Sequence, residues 1–234
     1  MNDVKAKVSS VALVNNNVYQ VKLTVPTDSF IAGQYLLIQL PTGETVPYSI
    51  GSAPFELPEL TLYILVAEVG SLADKVVQHI QQSDEISIKI AAGDSHIENG
   101  AITETTERIL LVAGGTGFAQ MKSMYDSLKK QPSSAEVALY WGVRTTEDLF
   151  LEEWTQQQAN NVKVVVGEAD PSWQGATGWL YDYIIAEQPS FKNTIVYVSG
   201  SPAMVYGTLD KLEEAGLPRT ASYSDVFAYA PRPD

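Results

Sequence analysis

The hydrophobic rhythm of this chain changes once, near residue 104, and that change limits the folds open to it. Upstream, apolar side chains recur at every second position over 18–25, 34–40, 60–66 and 86–90, separated by turn clusters such as Pro41-Thr-Gly-Glu44 and Gly51-Ser-Ala-Pro54. Alternation with period two predicts an antiparallel barrel or sandwich. One helical segment, Ser71 to Gln81, interrupts it, with Ser71 as N-cap and Leu72, Val76, Val77 and Ile80 forming an apolar face. Downstream, fully apolar runs at Ile109–Ala113, Val137–Trp141, Val162–Val166 and Ile195–Val198 are each followed by a helical stretch. That is the pattern of a parallel sheet covered on both faces. The polar stretch Glu98 to Glu107 separates the two rhythms, so two domains are expected, 1–100 and 101–234.

Composition narrows the chemistry. The chain has 234 residues and no cysteine, which removes disulfides, thiolate nucleophiles and iron–sulfur ligation. His79 and His96 lie far apart without metal-ligand spacing, so neither a metal site nor a Ser-His-Asp triad is expected. With 28 acidic and 15 basic residues, the net charge of −13 repels nucleic acid and anionic membranes and points to small-molecule partners. No apolar run reaches membrane-spanning length and the start has no apolar signal core, so the expected address is cytoplasmic. A chain so poor in nucleophiles and bases is expected to let a cofactor carry its chemistry.

Ligands gather at the C-terminal ends of parallel strands. Three such ends carry Gly114-Gly115-Thr116-Gly117, Gly142-Val143-Arg144 and Ser199-Gly200-Ser201-Pro202. The glycine tetrad suits a phosphate, because backbone N–H groups at a helix start attract anions. By spacing it lacks the third glycine of the dinucleotide fingerprint, and no Gly-Lys-Ser/Thr follows. Alone, it fits a tight turn capping a buried strand as well as a nucleotide site.

Five motifs in order change that balance: Ala32-Gly-Gln-Tyr35, Pro47-Tyr-Ser49, Gly114-Gly-Thr-Gly117, Tyr140-Trp-Gly-Val-Arg144 and Gly200-Ser-Pro-Ala-Met204. Together they resemble the ferredoxin-NADP reductase superfamily over nearly the whole chain. The nearest likeness is to the NAD(P)H:flavin oxidoreductases, especially the flavin reductases of bacterial luminescence operons. Ala119-Gln120 follows the tetrad where the superfamily usually has proline, and the ending Asp225-Val-Phe-Ala-Tyr229 is similar.

The resemblance implies an N-terminal antiparallel flavin-binding β-barrel followed by a C-terminal α/β parallel-sheet nucleotide-binding domain. In its terms Tyr48 and Ser49 line the flavin ring, the Ser49 hydroxyl acting as the catalytic group beside N5. Val46, Pro47, Tyr63, Ile64, Gly70, Ser71 and Phe227 complete the flavin site. Gly114, Gly115, Thr116, Gly117 and Phe118 face the NAD(P)H pyrophosphate, Gly200, Ser201, Pro202 and Met204 support the nicotinamide, and Ser199 occupies the place of a cysteine in many relatives. Arg144 fits the adenosine ribose or phosphate, and equally a surface salt bridge. By the same resemblance Phe227 and Tyr229 stack on the ring and guard the hydride site. Tyr48 and Ser49 also fit a plain strand end, Ser71 a plain cap, and Phe227 and Tyr229 equally a core strand.

Val46 departs from the family, which has arginine there. Valine cannot pair with phosphate, so the resemblance with this departure implies an exchangeable, substrate-like FMN, the alternative being a nearby lysine such as Lys75 in the arginine's place. NADH or NADPH is the implied hydride donor and no metal is required. Arg144 has no second basic neighbour, which favours NADH. The implied reaction is reduction of free FMN, riboflavin or FAD, supplying a flavin-dependent monooxygenase such as bacterial luciferase. Two alternatives stay open: a reductase that retains its flavin and serves ferric complexes, cobalamin or an electron-transfer partner, and a non-enzymatic flavin or nucleotide sensor. A monomer and a homodimer are both compatible. The tail 230–234 shows no fold signal and is expected to be mobile.

Overall fold

The computed structural model describes residues 1–27, 29–131 and 134–232. Its first sheet contains β1 (Asn2–Leu13), β2 (Val18–Thr24), β3 (Tyr35–Gln39), β4 (Thr45–Ser49), β5 (Glu59–Leu65) and β6 (Glu85–Ala92), in the order β4-β3-β6-β1-β2-β5. All its pairings are antiparallel. Just beyond edge strand β4, Gly51 N–H donates to the Thr61 carbonyl of the opposite edge at 2.7 Å, which brings the two edges of the sheet together. Alternating residues such as Val21, Leu23, Ile38 and Leu62 fill the interior and are fully buried. The helix α1 (Leu72–Gln81) adds Val76, Val77 and Ile80 to that core. Ser71 caps it by accepting from Asp74 N–H at 3.2 Å.

The second sheet is parallel throughout: β7 (Arg108–Gly114), β8 (Glu136–Val143), β9 (Val162–Val166), β10 (Ala176–Thr177), β11 (Thr194–Ser199) and β12 (Ser222–Tyr223), in the order β10-β9-β8-β7-β11-β12. The strand order turns back between β7 and β11. In open α/β sheets that reversal opens a crevice at the strand C-termini. Five helices accompany the sheet: α2 (Phe118–Lys130), α3 (Glu152–Gln157), α4 (Leu180–Glu187), α5 (Pro202–Glu214) and α6 (Val226–Tyr229).

Helix α2 is buried nearly all round because it lies between the two sheets. Its Ala119, Met121 and Met124 share one apolar cluster with Val18, Ala32 and Tyr63 of the first half and Ile109 and Leu111 of the second. Gly33 permits this approach: at φ +104° it adopts a backbone that favours glycine, and a Cβ there would overlap Met124 and stand 2.7 Å from the Ser95 carbonyl.

Two expectations need correction, and one strand carries no alternation signal. Residues 225–227 alternate like a strand, yet Val226–Tyr229 form a helical turn, with Ala228 N–H bonded to the Asp225 carbonyl at 3.1 Å. Strand β1 escapes the alternation pattern because only Ala6 among its twelve residues is buried. The tail is tied down as far as the described residues go. Tyr206 OH donates to the Ala230 carbonyl at 2.7 Å, and Arg232 pairs with Asp210 at 2.7 Å. Residues 233 and 234 lie outside the described residues.

Candidate active site

A cleft of about 1180 Å³ runs between the two halves, above the ends of β7, β8 and β11. Single-ligand pockets commonly span about 300–1,000 Å³, so this one lies above the range usual for one small molecule. The barrel wall consists of Asn17, Val18, Pro47, Tyr48, Ser49, Tyr63, Leu65 and Ala67. It is aromatic, hydroxylic and uncharged. Burial pushes the Tyr48 and Tyr63 phenols up to about 12, so both are neutral across the physiological range. Tyr63 is oriented by Gln20, whose Nε2 donates to its OH at 3.2 Å.

Ser49 reaches the cleft because it ends β4 in register with Tyr35, at the rim where the sheet stops. Its hydroxyl takes no hydrogen-bond partner among the described residues and is free to bond a ligand.

The opposite wall is built from the tight turns. Gly115 adopts φ +53°, and its carbonyl accepts from Trp141 Nε1 at 2.9 Å, which fixes the turn between β7 and α2. No side chain caps the α2 N-terminus, and because Phe118 N–H bonds back to the Gly115 carbonyl, the place for an anion is the glycine turn ahead of the helix. Gly117 meets the turn after β11 so closely that a Cβ would overlap the Ser199 carbonyl and lie 2.9 Å from Gly200 N. A side chain at Gly200 would press Met204 Sδ at 2.9 Å. The glycines thus let two strand-end turns converge on one cradle, and that cradle fits a dinucleotide pyrophosphate. Ser201 accepts from Met204 N–H at 3.3 Å, capping α5 over Pro202 at its first turn.

The cleft brings together Pro47, Tyr48, Ser49 and Tyr63 with Gly114, Gly115, Thr116, Gly117, Arg144, Ser199, Gly200, Ser201 and Met204. Arg144 is exposed and makes no ion pair among the described residues, so the salt-bridge alternative does not hold in this structure.

Seven expected residues lie elsewhere. Ile64 is fully buried inside the barrel, and Val46 packs half-buried against the same core. Gly70 and Ser71 serve the α1 cap, Gly70 N–H donating to Asp74 Oδ2 at 2.7 Å. Phe118 turns inward onto Trp141, ring centroids 4.2 Å apart, and its burial contributes roughly 1.5–3 kcal/mol. Pro202 is a helix-start residue off the cleft lining. Phe227 stacks on Tyr206 at 6.0 Å, while Tyr229 lines the cleft instead. In a strand these two residues share a face; in a helical turn they point about 200° apart.

Trp179, Asp148 and Glu168 also line the cleft without having been singled out. Trp179 is 69% exposed and stacks on Tyr181 at 5.7 Å. No short motif marks it; the only signal is an aromatic residue just after Gly178, ahead of a helix.

Comparison with known proteins identifies the family. Residues 111–210 match the family described as Oxidoreductase NAD-binding domain. The chain is 32% identical to the NAD(P)H-flavin reductase of Vibrio harveyi, over 97% of this chain and 99% of that protein. It is 29% identical to the reductase component 1 of terephthalate 1,2-dioxygenase from Comamonas sp, over 97% of this chain and 68% of that one. Among solved structures, the ferredoxin reductase in carbazole 1,9a-dioxygenase superposes with a TM-score of 0.83 at 22% identity, covering 96% of this chain and 69% of that chain. That last likeness concerns the fold. Among the described residues, no helix is long and apolar enough to cross a membrane, and no His, Cys, Asp and Glu cluster suits a metal ion.

Proposed function

Because the chain belongs to the NAD(P)H-flavin reductase family of the ferredoxin-NADP reductase superfamily, and is an oxidoreductase drawing on NAD(P)H, we propose that it reduces free flavin as a substrate. The observation carrying this reading is the asymmetry of charge across the cleft. The barrel wall offers aromatic and hydroxyl contacts but no cation, and Arg144 on the opposite wall is the one basic residue among the described lining. A flavin held by its ring alone, with its phosphate ungripped, exchanges readily.

In this reading residues 1–100 bind flavin and 101–234 bind NAD(P)H. Hydride passes from the nicotinamide C4 to flavin N5, and a solvent proton completes the reduced flavin. The protein supplies position: the glycine turns hold the pyrophosphate, Met204 and Ser199 flank the nicotinamide, and Ser49 bonds the atom receiving hydride. Arg144 meets the adenosine end beside Asp148 and Glu168. Two carboxylates disfavour a 2′-phosphate, so NADH is preferred over NADPH. Reduced flavin then serves a flavin-dependent monooxygenase; the motif resemblance favours bacterial luciferase.

A second reading, a reductase that keeps its flavin and passes electrons to an oxygenase, draws support from the dioxygenase reductase relative. One assay separates the two. A purified protein that is colourless and oxidises NADH anaerobically only when free FMN is added supports the first. Tightly bound yellow flavin with turnover only on a protein acceptor supports the second and overturns the first.

Two substitutions refine the picture. Val46 itself stands off the lining, two residues before Tyr48 on the same strand. The longer side chain of Val46→Arg brings a cation towards the β4 rim and should lower the KM for FMN by about tenfold while leaving riboflavin unchanged. Equal shifts for both flavins would refute the ungripped phosphate. Arg144→Ala should raise the KM for NADH by about tenfold with Tm unchanged, since no ion pair is lost. A fall in Tm with unaltered KM would return Arg144 to a structural role.

A further inference from the structure

Gln120, the third residue of α2, is 2% exposed and faces away from the cleft lining. Its Nε2 lies 2.8 Å from the Gly33 carbonyl, 3.1 Å from the Ser95 carbonyl and 2.8 Å from Asp225 Oδ2. The other Asp225 oxygen accepts from Ser95 N–H at 3.3 Å. Three segments distant in sequence therefore meet on one amide: the turn before β3, the loop after β6 and the start of α6. The junction is shaped for close approach. Gly33 and Gly93 have φ of +104° and +105°, and a Cβ on Gly93 would stand 3.3 Å from Asp225 Oδ1.

The consequence runs through α6. Asp225 immediately precedes this single helical turn, which ends at Tyr229 on the cleft. On its other side α6 is fixed to the parallel half by Phe227 stacking on Tyr206 and by the Tyr206 to Ala230 hydrogen bond. Among the described residues, the hydrogen bonds joining 222–230 to the barrel side pass through Asp225 and Gln120.

We propose that Gln120 is a positioning residue of the active site, whose clasp on Gly33, Ser95 and Asp225 sets where Tyr229 stands against the barrel edge carrying Tyr48 and Ser49. Resting on the flavin-reductase reading, the clasp governs how the flavin enters and is covered, and leaves the NADH wall untouched. Gln120→Leu keeps the bulk but removes both donor hydrogens, leaving the Asp225 carboxylate with the Ser95 N–H alone.

The test is a double-substitution cycle in the full chain. Gln120→Leu should raise the KM for FMN by about tenfold with the KM for NADH within about twofold. Placed in a Tyr229→Ala background, the same change should alter the FMN KM no further. Multiplying effects would overturn the proposal, because Gln120 would then act independently of Tyr229. Hydrogen exchange supplies a readout that needs no turnover: amides of 222–230 should exchange faster in Gln120→Leu, with both sheets unchanged. Uniform loss of protection across both sheets, or none in 222–230, overturns the clasp. Gln120→Asn keeps the amide one methylene short of its partners and should reproduce the pattern if the leucine variant fails to fold; wild-type exchange in 222–230 would then overturn the proposal. Absence of free-flavin turnover in the wild type would fail the functional reading, while the exchange comparison still decides the clasp.

Discussion

Ser49→Ala is expected to slow single-turnover hydride transfer by about a hundredfold, the scale of losing one donor aimed at developing charge. FMN binding should change by no more than about threefold, because a bond that strengthens only as hydride arrives contributes little to the ground state. The surroundings make the hydroxyl effective. It sits at the β4 rim, on a wall that also carries Tyr48 and Tyr63 and no charged side chain, where a hydrogen bond is weakly screened. Nothing within the described residues competes for it. Anaerobic stopped-flow mixing of NADH with FMN and enzyme measures the step directly. An unchanged single-turnover rate would remove Ser49 from the chemistry and leave Tyr48 and Tyr63 as mere walls.

Gly117→Ala should destabilise the protein by roughly 3 kcal/mol, lowering Tm by about 6–12 °C for a chain of this size. It should also weaken NADH binding at least tenfold. The backbone is not the cause, since Gly117 has φ −55°, which alanine adopts freely. The cause is contact: the added methyl overlaps the Ser199 carbonyl and forces apart the turns after β7 and β11. Gly115→Ala makes the contrast. That position has φ +53° with open space around it, so the expected cost is backbone strain alone, about 1–2 kcal/mol. Thermal melts and NADH titrations of the two variants separate the effects. Equal stability of Gly117→Ala and wild type would mean that the two turns do not touch.

Much of the architecture was legible from the chain. Period-two alternation located β2, β3, β5 and β6 within one or two residues, and apolar runs located β7, β8, β9 and β11. The helix start read from Ser71 is capped as that residue suggested. These features are local, because caps, turns and sheet faces depend on neighbours a few residues away. The site was legible only in part. Phe118 follows the glycine turn as a ligand contact might, but a helix pressed between two sheets turns it into an aromatic cluster with Trp141 and Phe150. Ile64 follows Tyr63 by one residue, which in a strand puts it on the opposite face, inside the barrel.

The sequence by itself determined the two rhythms, the glycine turns, the Ser71 cap and the shortage of nucleophiles that hands the chemistry to a cofactor. Only the tertiary structure decided that Tyr229 rather than Phe227 reaches the cleft, that Gly117 is required by the Ser199 carbonyl, and that Gln120 joins Gly33, Ser95 and Asp225. The physical reason is range. Backbone sterics and local hydrogen bonds are written in consecutive residues, whereas the direction of a side chain towards a shared cleft depends on the packing of segments about a hundred residues apart, as Gln120 and Asp225 are.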